Sequence, residues 1–248
     1  MSDNISAADE SKRLVSRIND MIRLAEKRGS VYSSFLNARE CVLAEAELKR
    51  LMYDNYCFYG LFENAERKML CVFKEYYQPE NSDFPMTCLT FSYRKENKLT
   101  HRDFLGAIMA LQIKRETVGD IVIGDGTAQI AVSDSVGNVI KSDIRKIGSV
   151  GVKVSDECGT VLKKVQEFKE IKGTVASLRL DGVLSLALNM SRSRTAGIIK
   201  GIGAEVNYFL KYDSSFNLSQ GDIISVKGFG KYRLEEISGI TKKGRIHI

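Results

Sequence analysis

Apolar positions recur along the chain with two periods, and the changes between those periods predict the elements. Between residues 8 and 28, Leu14, Ile18, Met21, Ile22 and Ala25 return at helical spacing. Arg13, Arg17, Arg23 and Lys27 lie elsewhere on the helix, and Gly29 ends the run. A second helix is predicted over 38–54, with Cys41, Ala44, Leu48, Leu51 and Met52 on its apolar side. "YCFYGLF" and "KMLCVF", separated by "ENAER", then read as a β-hairpin. "YYQPENSDFP" holds both prolines and clusters turn residues, which places a domain boundary near residue 82.

The middle segment alternates more clearly. "MTCLTFSY" reads as a strand, and "THRDFLGAIMALQI" as a helix capped by Thr100 with Asp103 in its first turn. "DIVIG" and "AQIAVS" form a hairpin around Asp125-Gly126, "DSVGNVIKSDI" a further helix and "VGVKV" a closing strand. That β-α-β-β-α-β order predicts a ferredoxin-like or RNA-recognition-motif-like sandwich over 83–168. RNA-stacking versions of such a sheet need aromatics on its exposed face. The third strand, "AQIAVS", has none, and core packing accounts for Phe91 and Tyr93 on the first.

From residue 169 the pattern changes again. "VLKKVQEFKEIKGTVASL" leads in, with a strand expected within 171–177. "DGVLSLAL" is a short helix opened by Asp181, and "SRSRTAGIIKGIG" a second with Ser191 as its N-cap. Thr195, Ile198, Ile199 and Ile202 fall at i, i+3, i+4 and i+7, an apolar stripe to bury. The opposite side carries Ser193, Arg194, Gly197, Lys200 and Gly201, a shallow positive surface. "AEVNYFL" reads as a strand, and "LSQGDIISV" as a turn and strand built on Gly221-Asp222. In "KGFGKYRL", Lys227, Lys231 and Arg233 alternate and so share one face. The predicted fold class is therefore α+β and multi-domain: an α+β domain at 1–82, the βαββαβ domain at 83–168 and a small α/β domain at 169–248.

Charge singles out the last of these. Between Arg179 and the end there are eleven lysines and arginines against six acids, so this segment holds +5 of the chain's net +6. A small basic unit is the footprint of a polyanion binder. Five cysteines at uneven spacing, with no CxxC pair, fit neither a disulfide framework nor a zinc cluster. No run of about 18 apolar residues is present, and the polar N-terminus lacks the apolar core of a signal peptide. The expectation is a cytoplasmic, monomeric protein without cofactor or metal.

Two arginines, Arg192 and Arg194, stand in the first turn of the basic helix, where the backbone dipole prefers acids. Phosphates laid against that turn would be held by the arginines and the free amides together. The predicted RNA contacts are Arg192, Arg194 and Lys200, with Lys227, Lys231 and Arg233 alongside. Arg179 either contacts RNA or pairs with Asp181, Ser191 positions the helix, and Asn207 fixes the turn beside the strand.

"RLDGVLSLALNMSRSRTAGIIKG…VN…GDIISV" resembles the S-four RNA-binding domain. The matching positions are Arg179, Leu180, Asp181, Leu184, Ser191, Arg192, Ala196, Ile199, Val206, Asn207, Gly221, Asp222, Ile224 and Val226. Ile202, Glu205 and Tyr208 depart from it, standing where glycine, a basic residue and glycine are frequent. Upstream, "LTHRDFLGAIMALQIKRETVGDIVIGDGTAQIAV" is similar to the middle domain of the YlmH family, which joins such a domain to a C-terminal S-four domain. The resemblance implies a ribosome-associated protein that docks on ribosomal RNA, of the large subunit, with tRNA beside it. It also implies links to ribosome-associated quality control and to cell division.

Two rival readings follow from the residues. "RLDGVLS" shares Arg-Leu-Asp with pseudouridine synthases, but the Thr and Gly that follow there are replaced. His101 and Asp103, two apart at a helix start, do not face each other as an acid–base pair would. "GDGTAQ" lacks the Gly-Lys-Ser/Thr end of a phosphate loop. A non-enzymatic binder is expected, with an rRNA-modifying enzyme and a protein-interaction adaptor linked to cell division as the alternatives.

Overall fold

The computed structural model describes residues 7–163, 168–242 and 244–248. The first residues of the polar N-terminus, the stretch 164–167 of the connecting segment, and Lys243 fall outside them. The chain divides into two compact units, 1–165 and 166–248. Among the described residues no helix is long and apolar enough to cross a membrane, and no cluster of metal-ligating side chains occurs.

The first unit opens with α1 (Ala7–Arg28), whose Leu14, Ile18, Met21 and Ala25 are buried as the spacing predicts. A short strand β1 (Ser30–Tyr32) follows, and then α2 (Ala38–Arg50), opened by a capping box in which Asn37 and Glu40 satisfy each other's amides. The helix stops four residues short of the expected 54. Leu51 caps it, and Met52 turns left-handed (φ 53°) and stands 87% exposed instead of joining the apolar side. β2 (Tyr56–Tyr59) and β3 (Met69–Phe73) pair antiparallel as expected, and β1 adds to the other edge of β3.

β4 (Met86–Ser92), α3 (His101–Ala110), β5 (Val118–Gly124), β6 (Thr127–Ser133) and α4 (Asp134–Asp143) come next. A two-residue ribbon, β7 (Lys146–Ile147) and β8 (Val150–Gly151), precedes β9 (Lys153–Ser155). The expected closing strand "VGVKV" is thus split, and only its second half pairs with β4. The sheet order β5-β6-β4-β9 is antiparallel throughout and is the order of a ferredoxin-like sandwich. Phe91 is fully buried, and its ring meets Phe104 edge-on at 5.5 Å, with Tyr93 tilted against the same ring. Both aromatics belong to the core, as the sequence implies. Asp103 spends its carboxylate on the Thr100 amide and hydroxyl, so His101-Arg102-Asp103 is a helix start.

The predicted first and middle domains lie together in this unit and share a core. Phe35, Phe62, Ala65, Met69, Cys71 and Phe84 pack with Val122 and Ala131 of the sheet. Asp120 accepts the amides of Glu66 and Arg67, and Arg67 donates to the Val118 and Phe35 carbonyls.

In the second unit, β10 (Thr174–Val175) precedes α5 (Leu180–Ala187) and α6 (Arg192–Ile202). β11 (Ala204–Val206), β12 (Phe209–Lys211), β13 (Ile223–Val226) and β14 (Gly230–Arg233) form a sheet of order β12-β11-β13-β14. β15 (Ile246–His247) returns to pair with β10. Leu180, Leu184, Ile199, Val206, Ile224 and Val226 make the core between helices and sheet. The expected single strand "AEVNYFL" is a hairpin, because Asn207 and Tyr208 both take left-handed backbones (φ 50° and 69°) and turn the chain back. Ile202 falls off the buried stripe at 49% exposure, being the last residue of α6, while Thr195 and Ile199 are fully buried.

Candidate nucleic-acid interface

α6 is positioned by its ends. Ser191 caps it by accepting the Arg194 amide at 3.3 Å, and Gly203 (φ 79°) closes it, as a left-handed glycine does at no steric cost. Thr195 and Ile199 bury one side, so Ser193, Arg194, Gly197, Lys200 and Gly201 face outward together, as the spacing predicts. A Cβ added at Gly197 or Gly201 would meet nothing within 4 Å. The glycines therefore keep open space beside the two cations.

Arg192 behaves differently from its neighbour. Its guanidinium donates to the Asp181 carboxylate at 3.0 Å, and Arg179 approaches the same carboxylate at 3.4 Å. Asp181 has a side chain only 8% exposed, and its backbone amide is already taken by the Ser214 carbonyl. Burial alone would push its pKa up, but the hydrogen bonds from Arg192 and Arg179 outweigh that and hold it below the ordinary value. The negative charge that the helix start lacks is thus supplied for Arg192 from α5, eleven residues earlier. Asp181 stands inside α5 rather than at its cap, which is Arg179. Of the two outcomes open for Arg179, the structure shows the pairing.

Asn207 is fully engaged. Its amide donates to Asp222 at 2.8 Å, its carbonyl oxygen accepts the Ile223 amide at 3.0 Å, and its own amide reaches the Ile223 carbonyl at 2.8 Å. It holds the hairpin turn. Lys231 and Arg233 share a face of β14, whereas Lys227 sits in the turn after β13 and not on the alternating strand. The Lys231 ammonium lies 5.1 Å over the Tyr208 ring, and Arg233 pairs with Glu235 at 2.5 Å. Among the described residues, Arg194, Lys200 and Lys227 make no ion pair. These three, like Lys231, are exposed on the second unit.

One cation was missed by sequence reasoning. Arg245 donates from Nε to the Thr174 hydroxyl at 3.0 Å and from Nη2 to the Thr174 carbonyl at 2.5 Å. The pairing of β15 with β10, which brings it there, leaves no periodic trace in two-residue strands.

Comparison with known proteins adds three findings. A family model described as "Putative RNA-binding domain in YlmH" matches residues 79–159. The chain is 32% identical over 215 residues to the Bacillus subtilis (strain 168) protein named ribosome-associated protein quality control protein P2, covering 86% of this chain and 83% of that one. It also resembles the solved structure of cell division protein ylmH from Streptococcus pneumoniae, with a TM-score of 0.50 and 23% identity, over 64% of this chain and 96% of that one.

Proposed function

This chain belongs to the YlmH family, and from that premise we propose that it is a non-catalytic, ribosome-associated RNA-binding protein of the cytoplasm. It docks on ribosomal RNA of the large subunit, with tRNA beside it, through a second unit of S-four type, and it serves ribosome-associated quality control. The observation that carries this reading is the outward face of α6. Arg194 and Lys200 stand there over two uncovered glycines, so a sugar–phosphate backbone approaches without meeting a side chain. Lys227, in the turn after β13, and Lys231, on β14, add two further exposed cations on the same unit. The alternative of uridine modification asks for a reactive aspartate, and Asp181 is held between two arginines instead.

Four phosphate contacts give a log–log slope of affinity against salt of about −4. Fluorescence anisotropy with a labelled ribosomal RNA fragment across a salt series reads it directly. Replacing Arg194 and Lys200 by alanine lowers affinity and flattens the slope by about 2. Wild-type affinity that is indifferent to salt would refute the reading.

A further inference from the structure

We propose that the second unit carries a phosphate pocket apart from the outward face of α6, in which Arg192 and Arg245 together seat one phosphate group of an RNA chain. It deepens the RNA-docking reading and rests on it for the identity of the ligand. The pocket is a cleft of about 290 Å³ between β10 and α5, lined by Thr174, Ser177, Ser185, Asn189, Arg192 and Arg245 among others. No carboxylate is among its described lining residues. Two cations and a rim of hydroxyl and amide groups therefore meet in one concavity, which is the chemistry of a phosphate and its ribose.

Both guanidinium groups are fixed before any ligand arrives. Arg245 is tied to β10 through Thr174, and its own amide donates to the Thr241 hydroxyl at 2.9 Å. Arg192 is tied to Asp181 through Nη2. A guanidinium has five N–H donors in a fixed fork, so each keeps a second edge for the cleft. Gly182 forms the floor below Arg192: a Cβ there would stand 4.0 Å from Arg192 Nε. Ser185 donates to the Gly182 carbonyl at 2.8 Å, which orients its oxygen. Asn189 has a left-handed backbone (φ 50°) just beyond the end of α5, a conformation Asn and Asp tolerate better than other side chains.

The test uses the full chain and two variants of different kind. Arg245→Gln removes one cation. Asn189→Asp keeps shape and backbone preference and places a carboxylate in the cleft while leaving both arginines intact, so it guards against a folding artefact of the first. Inorganic phosphate is titrated while amide NMR signals of Gly182, Ser185 and Asn189 are followed. Wild type should show saturating shifts, and Asn189→Asp should not. With a short RNA, each variant should bind about fivefold more weakly, with a salt slope flatter by about 1 for Arg245→Gln. The same RNA carrying a 5′-phosphate or a 5′-hydroxyl separates the two sources: a gap between them in wild type alone assigns a terminal phosphate, and equal affinities assign a backbone diester. Wild-type RNA binding that both variants retain, with no phosphate shifts, overturns the pocket and leaves the docking reading standing. Phosphate shifts without RNA binding by wild type keep an anion pocket, but sink both the docking reading and the RNA assignment.

Discussion

Replacing Asp181 by asparagine keeps the shape of the side chain and removes one charge. The carboxylate is nearly buried, accepts a 3.0 Å hydrogen bond from Arg192, and receives two weaker 3.4 Å contacts from Arg179. A hydrogen bond to a buried charge contributes about 1.5–3 kcal/mol, and the long Arg179 contacts add little. Both arginines are roughly half in water, which recovers part of their solvation once the partner is gone. The expected loss is about 2 kcal/mol, or about 10 °C in the melting of a unit this size. Thermal unfolding of the full chain, with amide hydrogen exchange in α5 and α6 to attribute the change, measures it. The pH dependence gives a second handle. Because the folded pKa of Asp181 is depressed, its contribution is complete above the unfolded value of about 4 and is lost as pH falls through the folded one. The gap between wild type and variant should therefore be constant near neutrality and close in acid. A gap of the same size at neutral and strongly acid pH, or no gap at all, would refute the ion-pair account of Arg192.

Three further outcomes follow from the same structure. Gly197→Ala with Gly201→Ala should raise the stability of exposed α6 by about 0.5–1 kcal/mol each, yet weaken RNA binding by anisotropy if a backbone lies against those positions. Asn207→Ala should cost about 2–3 kcal/mol in urea unfolding of the second unit, from two lost side-chain hydrogen bonds and a left-handed alanine. Asn207→Gly should recover about 1 kcal/mol of that, since glycine accepts the backbone.

Local signals carried much of this architecture. The helical stripe of α1, the capping box at Thr100 and the Asp125-Gly126 turn each follow from spacing a few residues wide, and the βαββαβ sheet assembles in the order they imply. The features that escaped are those whose causes lie far away in sequence. Arg192 looks like a cation in a hostile field until α5 brings Asp181 beside it. The hairpin at Asn207-Tyr208 hides in an alternating run, because the turn uses Asn and Tyr at positive φ where glycine would have announced it. Phe35 and Phe84 show as apolar residues next to turns, yet with Val122 they bind the first eighty residues to the sheet. The outward face of α6 was fully legible, because a helix with one buried stripe leaves its other side no choice.

Co-sedimentation with purified ribosomal subunits across a salt series tests the central claim most directly. Wild type is compared with Arg194→Ala/Lys200→Ala/Lys227→Ala, three exposed cations that pair with no described acid and hold up no part of the core. The account predicts that wild type pellets with the large subunit at low salt and leaves it as salt rises, while the variant stays in the supernatant. Equal pelleting of the two proteins would contradict it, and would move the contact away from the second unit's basic face.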